Sequence, residues 1–237
     1  MNKVKINIEN LEKGFGKKKI LKKIDLKIFE SESLAIIGES GSGKSVLIKC
    51  IIGLLNFETG KILYDNILSI KEVKNSDKIN YTSKFGVLFQ NAALFDSLTI
   101  RQNLSFEVKL NDYSQILKDV GLDISILDSY PSDLSVGVQK RIGLARAIIS
   151  NPEVLVFDEP TTGLDIIVAD QINKLLRQLV IKKKITTITI THDMNSVYEY
   201  TDKVAFINNG KICWYGKTRD INFQKNMMLK NFINGKN

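Results

Sequence analysis

The segment GESGSGKS at residues 38–45 has the composition and spacing of a loop that binds phosphate. It fits the pattern G-x-x-x-x-G-K-S/T and lies between a short apolar run, LAIIG, and a helical pattern, SVLIKCIIGLL. Small residues allow successive backbone N–H groups and a helix N-terminus to surround a phosphate. We expect Lys44 to reach the β- and γ-phosphate oxygens and Ser45 to bind Mg²⁺; an ordinary Gly/Ser turn is the alternative. The predicted loop consists of Gly38, Glu39, Ser40, Gly41, Ser42, Gly43, Lys44 and Ser45.

Two carboxylates follow a second apolar run, VLVFDE at residues 154–159. A strand here would bring Asp158 to the carboxyl edge of a sheet, where it can hold Mg²⁺ through water. Glu159 can then polarise the attacking water; the alternative is that the two acids cap the next segment. His192, the one histidine, directly follows TTITIT. If that strand lies beside the strand of Asp158, His192 can contact the γ-phosphate, although a lone histidine is usually a packing or surface residue.

The segment LSVGVQKR at residues 134–141 precedes a helical pattern, IGLARAII, and has the form of a turn that grips phosphate. Glycine lets a backbone approach a phosphate closely, whereas valine resists unusual dihedral angles. Val136 and Val138 therefore stand where smaller residues would be easier. The segment favours a working but slower site, because each backbone N–H is retained at a helix N-terminus; a degenerate, inactive site is the alternative.

Strands alternate with helical patterns, which predicts an α/β fold with a mainly parallel sheet. VKINIEN and IDLKIF alternate polar and apolar residues and predict an antiparallel β subdomain. The hairpin signal Asn209-Gly210 lies within VAFINNGKICWYG. We predict one domain over residues 1–237, with 1–90 and 151–237 as the core and β subdomain, and about 91–150 as a helical subdomain that includes the pattern RQNLSFEVKL.

Composition limits the remaining possibilities. The formal net charge of +8 over 237 residues predicts attraction to anions, but the lysines are scattered without interleaved aromatic residues, which favours solvated faces over a nucleic-acid groove. No apolar run reaches the roughly 18 residues that span a bilayer, and the first residues lack a signal-peptide core. Cys50 and Cys213 lack metal-ligand spacing, which predicts buried, reduced thiols. We expect a cytosolic chain.

The motifs, in this order, resemble those of the ATP-binding subunit of ABC transporters. The phosphate loop is followed by Gln90 in GVLFQ, then by LSVGVQKR, LVFDEP, GLD at 163–165 and the TH that ends in His192. The resemblance covers essentially the whole chain and implies a phosphate-loop NTPase of the ABC type that hydrolyses ATP with Mg²⁺. It also implies a head-to-tail dimer, in which ATP lies between the phosphate loop of one copy and the signature segment LSVGVQ of the other.

The resemblance assigns roles to further residues. Phe15 would stack on the adenine, which suits an aromatic face, although a core position is the alternative. Gln90 would contact Mg²⁺ and sense the γ-phosphate while its loop touches a membrane subunit, and Asp165 would report across the dimer. The signature residues facing the other copy's γ-phosphate would be Ser135, Val136, Gly137 and Gln139. The family wording is LSGGQ, or LSGG followed by one residue and Gln-Lys-Arg, so Val136 replaces a glycine.

One branch of the family carries similar phrases. FGVLFQNAALFDSLTIRQNLSF, EPTTGLD and NFING resemble the Mla-type ATPases, which serve phospholipid transporters with MCE-domain partners. This implies a motor that moves phospholipid or a related lipid with a separate transmembrane permease and an MCE-type protein, at the cytoplasmic face of the inner membrane. The apolar LFDSLTI suits docking of a permease helix, with internal packing as the alternative.

Two other functions remain open at this point. One is the ATPase of another ABC importer or exporter, for an amino acid, a metal or a drug. The other is an ABC ATPase without a transporter, acting on nucleic acid or ribosomes. We expect no nucleic-acid partner, because tandem cassettes, long coiled coils and zinc-finger insertions are not visible in the sequence.

Overall fold

The computed structural model describes residues 3–70 and 77–235, and these pack into two compact units. The first unit comprises Met1–Thr82 together with Thr186–Asn237, and the second comprises Ser83–Ile185. These boundaries do not coincide with the predicted helical subdomain at about 91–150, which stays a prediction.

The described residues form strands and helices in the alternation that the sequence predicts. The strands are β1 (Val4–Phe15), β2 (Lys18–Phe29), β3 (Ser33–Ile37), β4 (Thr59–Tyr64), β5 (Leu68–Ser69), β6 (Phe85–Leu88), β7 (Val154–Asp158), β8 (Thr186–Ile190), β9 (Lys203–Asn208) and β10 (Lys211–Lys217). The α-helices are α1 (Lys44–Ile51), α2 (Lys78–Thr82), α3 (Ile100–Ser105), α4 (Ser114–Asp119), α5 (Val136–Ile149), α6 (Ile166–Lys183), α7 (Met194–Tyr200) and α8 (Met227–Ile233).

An antiparallel sheet in the first unit has the strand order β2-β1-β4-β5. In β2, Ile24, Leu26 and Ile28 are buried, whereas the intervening Asp25 and Lys27 are exposed. This alternation is typical of a sheet with one packed face and one solvated face. The predicted antiparallel β subdomain is therefore confirmed, but the sequence patterns did not predict β4 and β5.

The same unit contains parallel strands that carry the phosphate loop. β3 pairs in parallel with both β8 and β9, and β10 is antiparallel to β9. Every residue of β3 and β8 is buried, as expected for parallel strands covered on both faces. Asn209 and Gly210 join β9 to β10 with φ angles of 48° and 76°, which are typical of a type I′ turn. The predicted hairpin is confirmed.

In the second unit, β6 and β7 pair in parallel and α5 packs on β6. One predicted helix is shorter than expected: RQNLSFEVKL forms α3 only as far as Ser105, and 107–112 are not helical. The Tyr113 hydroxyl accepts a hydrogen bond from the Leu110 N–H at 3.2 Å and donates one to the Val108 carbonyl at 3.5 Å. These bonds satisfy the backbone in a non-helical conformation, which the spacing of apolar residues does not reveal.

The cysteines and the helices bear on two smaller predictions. Cys50 is buried, as predicted, whereas Cys213 is only half-buried, which the sequence did not predict; neither cysteine is in a disulfide in the described residues. Among residues 3–70 and 77–235, no helix is both long and apolar enough to cross a membrane.

Candidate functional site

The predicted phosphate loop joins β3 to α1. Gly41 and Gly43 have φ angles of 76° and 109°, in the region that glycine adopts most easily. A Cβ on Gly43 would lie 2.9 Å from Cδ2 of Leu21, and a Cβ on Gly38 would overlap the Ile207 carbonyl oxygen. The loop is thus shaped by residues without side chains. No side chain caps α1, so the first turn of the helix presents its N–H groups toward the loop.

Lys44 and Ser42 give this loop its polar interior. The Lys44 side chain is buried, and its ammonium donates to the carbonyl oxygens of Gly38 at 2.7 Å and Glu39 at 2.9 Å. The buried Ser42 hydroxyl has no hydrogen-bond partner among the described residues. Ser45 is exposed on the first turn of α1. A glycine cradle, a cation and a hydroxyl at a helix N-terminus fit a nucleotide phosphate with Mg²⁺.

Phe15 and His192 are also part of the first unit. Phe15 ends β1 and is 52% exposed, with the Lys13 ammonium 4.9 Å from its ring centroid. The alternative of a core phenylalanine is therefore wrong, and the ring is available to stack on a ligand. His192 is exposed two residues after β8, and Asp193 next to it caps α7.

The second unit carries the two predicted carboxylates. Asp158 ends β7, and Glu159 follows with a φ angle of 50°. A left-handed backbone is uncommon for a residue other than glycine, and the following Pro160 restricts the residue before it further. The Glu159 carboxylate accepts a hydrogen bond from Thr162 Oγ1 at 3.1 Å. Strained residues of this kind cluster at functional sites, where surrounding contacts hold them.

Lys140 holds the Glu159 backbone and was not among the predicted site residues. Its ammonium donates to the Glu159 carbonyl oxygen at 3.3 Å, although the side chain is only 1% exposed. Burial lowers the pKa of this ammonium, and the nearby carboxylates of Glu159 and Asp158 oppose that shift. The sequence alone gives no signal for this contact, because the Lys-Arg pair after Gln139 reads as a solvated face.

The predicted signature segment forms the start of α5. Ser135 is the N-cap, with φ −63° and ψ 155°, and its hydroxyl accepts from the Val138 N–H at 3.5 Å. The Gln139 amide donates to the carbonyl oxygens of Pro131 at 2.8 Å and Leu134 at 2.9 Å. Gln139 therefore fixes the turn that precedes its own helix.

The structure explains why valine is tolerated at position 136. Val136 is the first residue of α5, is 52% exposed, and does not have a positive φ angle. Gly137 differs, because it is buried and a Cβ there would lie 2.6 Å from Cγ1 of Val168. The steric requirement for glycine in this segment falls on position 137, which retains it.

The loop after β6 contains Gln90 and is held by α5. Gln90 is exposed, and Ala92 and Ala93 adopt φ angles of 57° and 49°. The Arg146 guanidinium donates to both of their carbonyl oxygens, at 3.0 Å to Ala92 and 2.8 Å to Ala93. Arg146 thus stabilises a left-handed turn next to Gln90, and sequence reasoning did not identify it.

Beyond this turn, one buried side chain and two aromatic rings organise the loop. The buried Asn103 amide donates to the carbonyl oxygens of Phe95, Leu98 and Thr99, each at 3.1 Å, and its oxygen accepts from the Phe95 N–H at 2.8 Å. The rings of Phe95 and Phe106 are both exposed, with centroids 5.0 Å apart. The two rings pack on each other and each keeps an exposed part, whereas Ile100 at the end of LFDSLTI is fully buried.

Asp165 caps α6 and so has a structural partner. Its carboxylate accepts from the N–H groups of Ile167 and Val168, each at 3.0 Å. Ile166 and Ile167, which follow it, are exposed.

The structure thus groups the predicted residues by unit. The first unit contains Phe15, the phosphate loop and His192, and the second contains Gln90, the signature residues, Asp158, Glu159 and Asp165. Among the residues that the structure describes, no cluster of three or more His, Cys, Asp or Glu could hold a metal ion. Serine, carboxylate and phosphate oxygens suit Mg²⁺, which usually keeps several waters and few protein ligands.

Comparison with known proteins gives consistent results. The model of the family described as ABC transporter matches residues 21–162. The methionine import ATP-binding protein MetN of Carboxydothermus hydrogenoformans is 36% identical over 97% of this chain and 71% of that protein. The L-cystine import ATP-binding protein TcyC of Bacillus subtilis is 35% identical over 91% of this chain and 92% of that protein.

The chloroplastic protein trigalactosyldiacylglycerol 3 of Arabidopsis thaliana is 32% identical over 98% of this chain and 74% of that protein. A dimeric ATP-binding cassette, solved in a post-hydrolysis state with ADP and inorganic phosphate, is 27% identical. It covers 90% of this chain and 99% of its own, with a TM-score of 0.79. The predicted α/β fold, with mostly parallel strands and a separate antiparallel sheet, is confirmed. The chain therefore belongs to the ABC transporter family, as an ATP-binding subunit that hydrolyses ATP with Mg²⁺ and couples hydrolysis to transport.

Proposed function

We propose that this chain is the ATPase motor of an importer for a small solute, with an amino acid as the first candidate. The observation that carries the ATPase role is the phosphate loop at the N-terminus of α1, into which the buried Lys44 ammonium projects. The solute class is supported by the names of the methionine and L-cystine import proteins, which are similar over more than nine-tenths of the chain.

The phosphate-binding residues act by charge and position. Lys44 exchanges its carbonyl contacts for β- and γ-phosphate oxygens, which it neutralises in part. Ser45 would offer a hydroxyl ligand to Mg²⁺, Asp158 would act through water, and Gln90, in the loop after β6, would contact the ion. Mg²⁺, when bound, offsets the charge that develops on the transferred phosphoryl group. The Phe15 ring supplies a face for the adenine.

Glu159 acts as the general base in this proposal. Its carboxylate orients and polarises the water that attacks the γ-phosphate, and Thr162 Oγ1 limits the rotation of that carboxylate. His192 contacts the γ-phosphate from the end of β8. Glu159 directly follows β7 and His192 lies two residues after β8, and a rigid strand end is a precise support for a reacting group.

The proposal includes two partners. A second copy of the chain supplies Ser135, Val136, Gly137 and Gln139 to the nucleotide of the first, with Asp165 at the same interface. The supporting observation is the similarity to a cassette solved as a dimer. A separate permease docks near the exposed rings of Phe95 and Phe106 and holds the motor at the cytoplasmic face of the membrane.

The catalytic part is tested with Glu159→Gln. This variant should bind ATP but lose nearly all turnover, and with ATP and Mg²⁺ it should form a dimer that light scattering detects. Glu153→Gln is the matched control, because Glu153 directly precedes β7 and pairs with Lys84 at 2.6 Å on the surface. Undiminished turnover by Glu159→Gln would contradict the role of this carboxylate. A monomer that persists with ATP, in the presence of the permease, would contradict the dimer.

Lipid transport with an MCE-type partner is the second candidate. It is favoured by the phrase FQNAALFDSLT and by the similarity to a plant protein named after a galactolipid. Tagged protein should be recovered from detergent-solubilised native membranes, and the proteins and lipids recovered with it should be identified by mass spectrometry. A permease with a solute-binding protein would support the importer, whereas a permease with an MCE-domain protein would support lipid transport. Ribosomes or DNA-repair proteins without a permease would contradict both.

A further inference from the structure

Lys140 is a buried cation in α5, the helix that begins with the signature segment and is called the signature helix below. It lies on α5, five residues after the N-cap Ser135, and is among the largest side chains that are fully buried in the described residues. Its ammonium donates to one backbone atom, the Glu159 carbonyl oxygen, at 3.3 Å. The contact joins the signature helix to the residue that follows β7.

An ammonium in this position is costly unless it has a specific task. Removing a charge from water is unfavourable, and a side chain such as methionine would fill similar space without that penalty. The carboxylates of Asp158 and Glu159 lie close enough to favour the charged form. A buried cation with one backbone acceptor and two nearby carboxylates is arranged to fix the position of that backbone.

The Glu159 backbone requires such support. Its φ of 50° lies in the left-handed region, and Pro160 after it makes helical conformations of either hand crowded. The Glu159 carbonyl accepts from Lys140 Nζ and also from the Thr162 N–H at 3.3 Å, while Thr162 Oγ1 donates to the carboxylate. Strained conformations persist only where several contacts determine them together.

We propose that Lys140 is a positioning residue, which holds the Glu159 backbone in its left-handed conformation and thereby aims the Glu159 carboxylate at the attacking water. This inference rests on the proposed role of Glu159 as general base. It also makes the signature helix of each copy a direct support for the general base of that same copy.

The test compares Lys140→Met with Lys140→Arg, which restores a cationic donor. Misplacing a reacting group by about 1 Å can cost on the order of 100-fold in rate. We expect kcat of Lys140→Met to fall about 10- to 100-fold, with the KM for ATP nearly unchanged because the phosphate loop is untouched. Lys140→Arg should recover a substantial part of kcat. Ile142→Val, a buried change on the same helix, is the control and should leave kcat near the wild-type value.

The outcomes separate this inference from the proposed function. Wild-type kcat in Lys140→Met, together with an inactive Glu159→Gln, would overturn the positioning role and leave the general base intact. Wild-type turnover in Glu159→Gln would instead remove the proposed base itself. An equal fall of kcat in Ile142→Val, or no recovery in a folded Lys140→Arg, would attribute the effect to packing and overturn the inference. If Lys140→Met does not fold, Lys140→Leu takes its place, and a wild-type kcat in that variant, which has no donor, would overturn the proposal.

Discussion

Replacing Gly137 with alanine should destabilise the protein, because the added methyl group has no room. A Cβ on Gly137 lies 2.6 Å from Cγ1 of Val168, about 1 Å closer than two carbon atoms in van der Waals contact. Overpacking of this kind lowers the free energy of unfolding by about 1–3 kcal/mol. Alanine has a higher helix propensity than glycine, which offsets about 1 kcal/mol of this loss. We therefore expect the free energy of unfolding of Gly137→Ala to be lower than that of the wild type by about 0–2 kcal/mol.

A double-mutant cycle isolates the steric contribution from helix propensity. Val168→Ala removes Cγ1, so Gly137→Ala in that background should raise the free energy of unfolding by about 1 kcal/mol. The coupling energy between the two positions is then about 1–3 kcal/mol. The measurement is urea unfolding of the four proteins, followed by far-UV circular dichroism. Single effects that add to within about 0.5 kcal/mol would refute the steric reasoning.

Position 136 supplies the matched control for this cycle. Val136 is half exposed one residue earlier on the same helix, and a change there meets no packed neighbour. Val136→Ala should alter the free energy of unfolding by no more than about 0.5 kcal/mol. A larger loss would mean that the first turn of α5 is constrained by something other than the Gly137–Val168 contact.

Three further predictions follow from buried or crowded positions. Lys44→Ala should abolish tight ATP binding, as measured by titration calorimetry, because the phosphate loop loses the buried ammonium of Lys44. Binding at wild-type affinity would contradict the proposed contact with the phosphates. Gly210→Ala should lower the free energy of unfolding in urea by at least about 2 kcal/mol, because φ is 76° and the new Cβ would overlap the Ile20 carbonyl oxygen. Gly163→Ala is the control, because Gly163 has a φ of 81° but open space around it, and it should lower the same quantity by only about 1 kcal/mol. Equal losses in the two variants would contradict the overlap. Burial raises the pKa of the Cys50 thiol to about 11. Iodoacetamide at pH 8 should therefore label Cys50 only in urea-unfolded protein, as measured by peptide mass spectrometry. Labelling of Cys50 in the native protein would contradict its burial.

The elements that could be predicted from the sequence are those with strong local signals. GESGSGKS has a fixed spacing of glycines around a lysine, and the structure confirms a loop between a strand and a helix there. Asn209-Gly210 predicts its own turn type, since both residues accept positive φ. The eighteen residues Ile166–Lys183 carry a helical pattern between an aspartate cap and a lysine-rich end, and α6 has these limits. Each signal depends only on neighbours in the sequence.

Two elements could not be predicted from the sequence although their partners lie close by in the chain. β5 has only two residues, Leu68–Ser69, and is a strand because these residues pair with the edge of β4 in the antiparallel direction. α3 ends early because the Tyr113 hydroxyl satisfies the Leu110 and Val108 backbone. Neither contact leaves a periodicity of apolar residues, because one is a side-chain bond to the backbone and the other is a two-residue strand pairing.

Two cations of α5, the buried Lys140 and the half-buried Arg146, could not be predicted as site residues because their partners lie far along the chain. Lys140 and Arg146 occur in a segment with the charge pattern of a solvated helix, yet each donates to a backbone carbonyl of a residue in the left-handed conformation. Lys140 supports Glu159, 19 residues away, and Arg146 supports the turn after Gln90, at a separation of 53–54 residues. A left-handed alanine or glutamate is unfavourable alone, so these segments depend on α5 for their shape. The same helix begins with the signature segment, and a displacement of α5 would therefore change the support of both the Gln90 loop and Glu159 together.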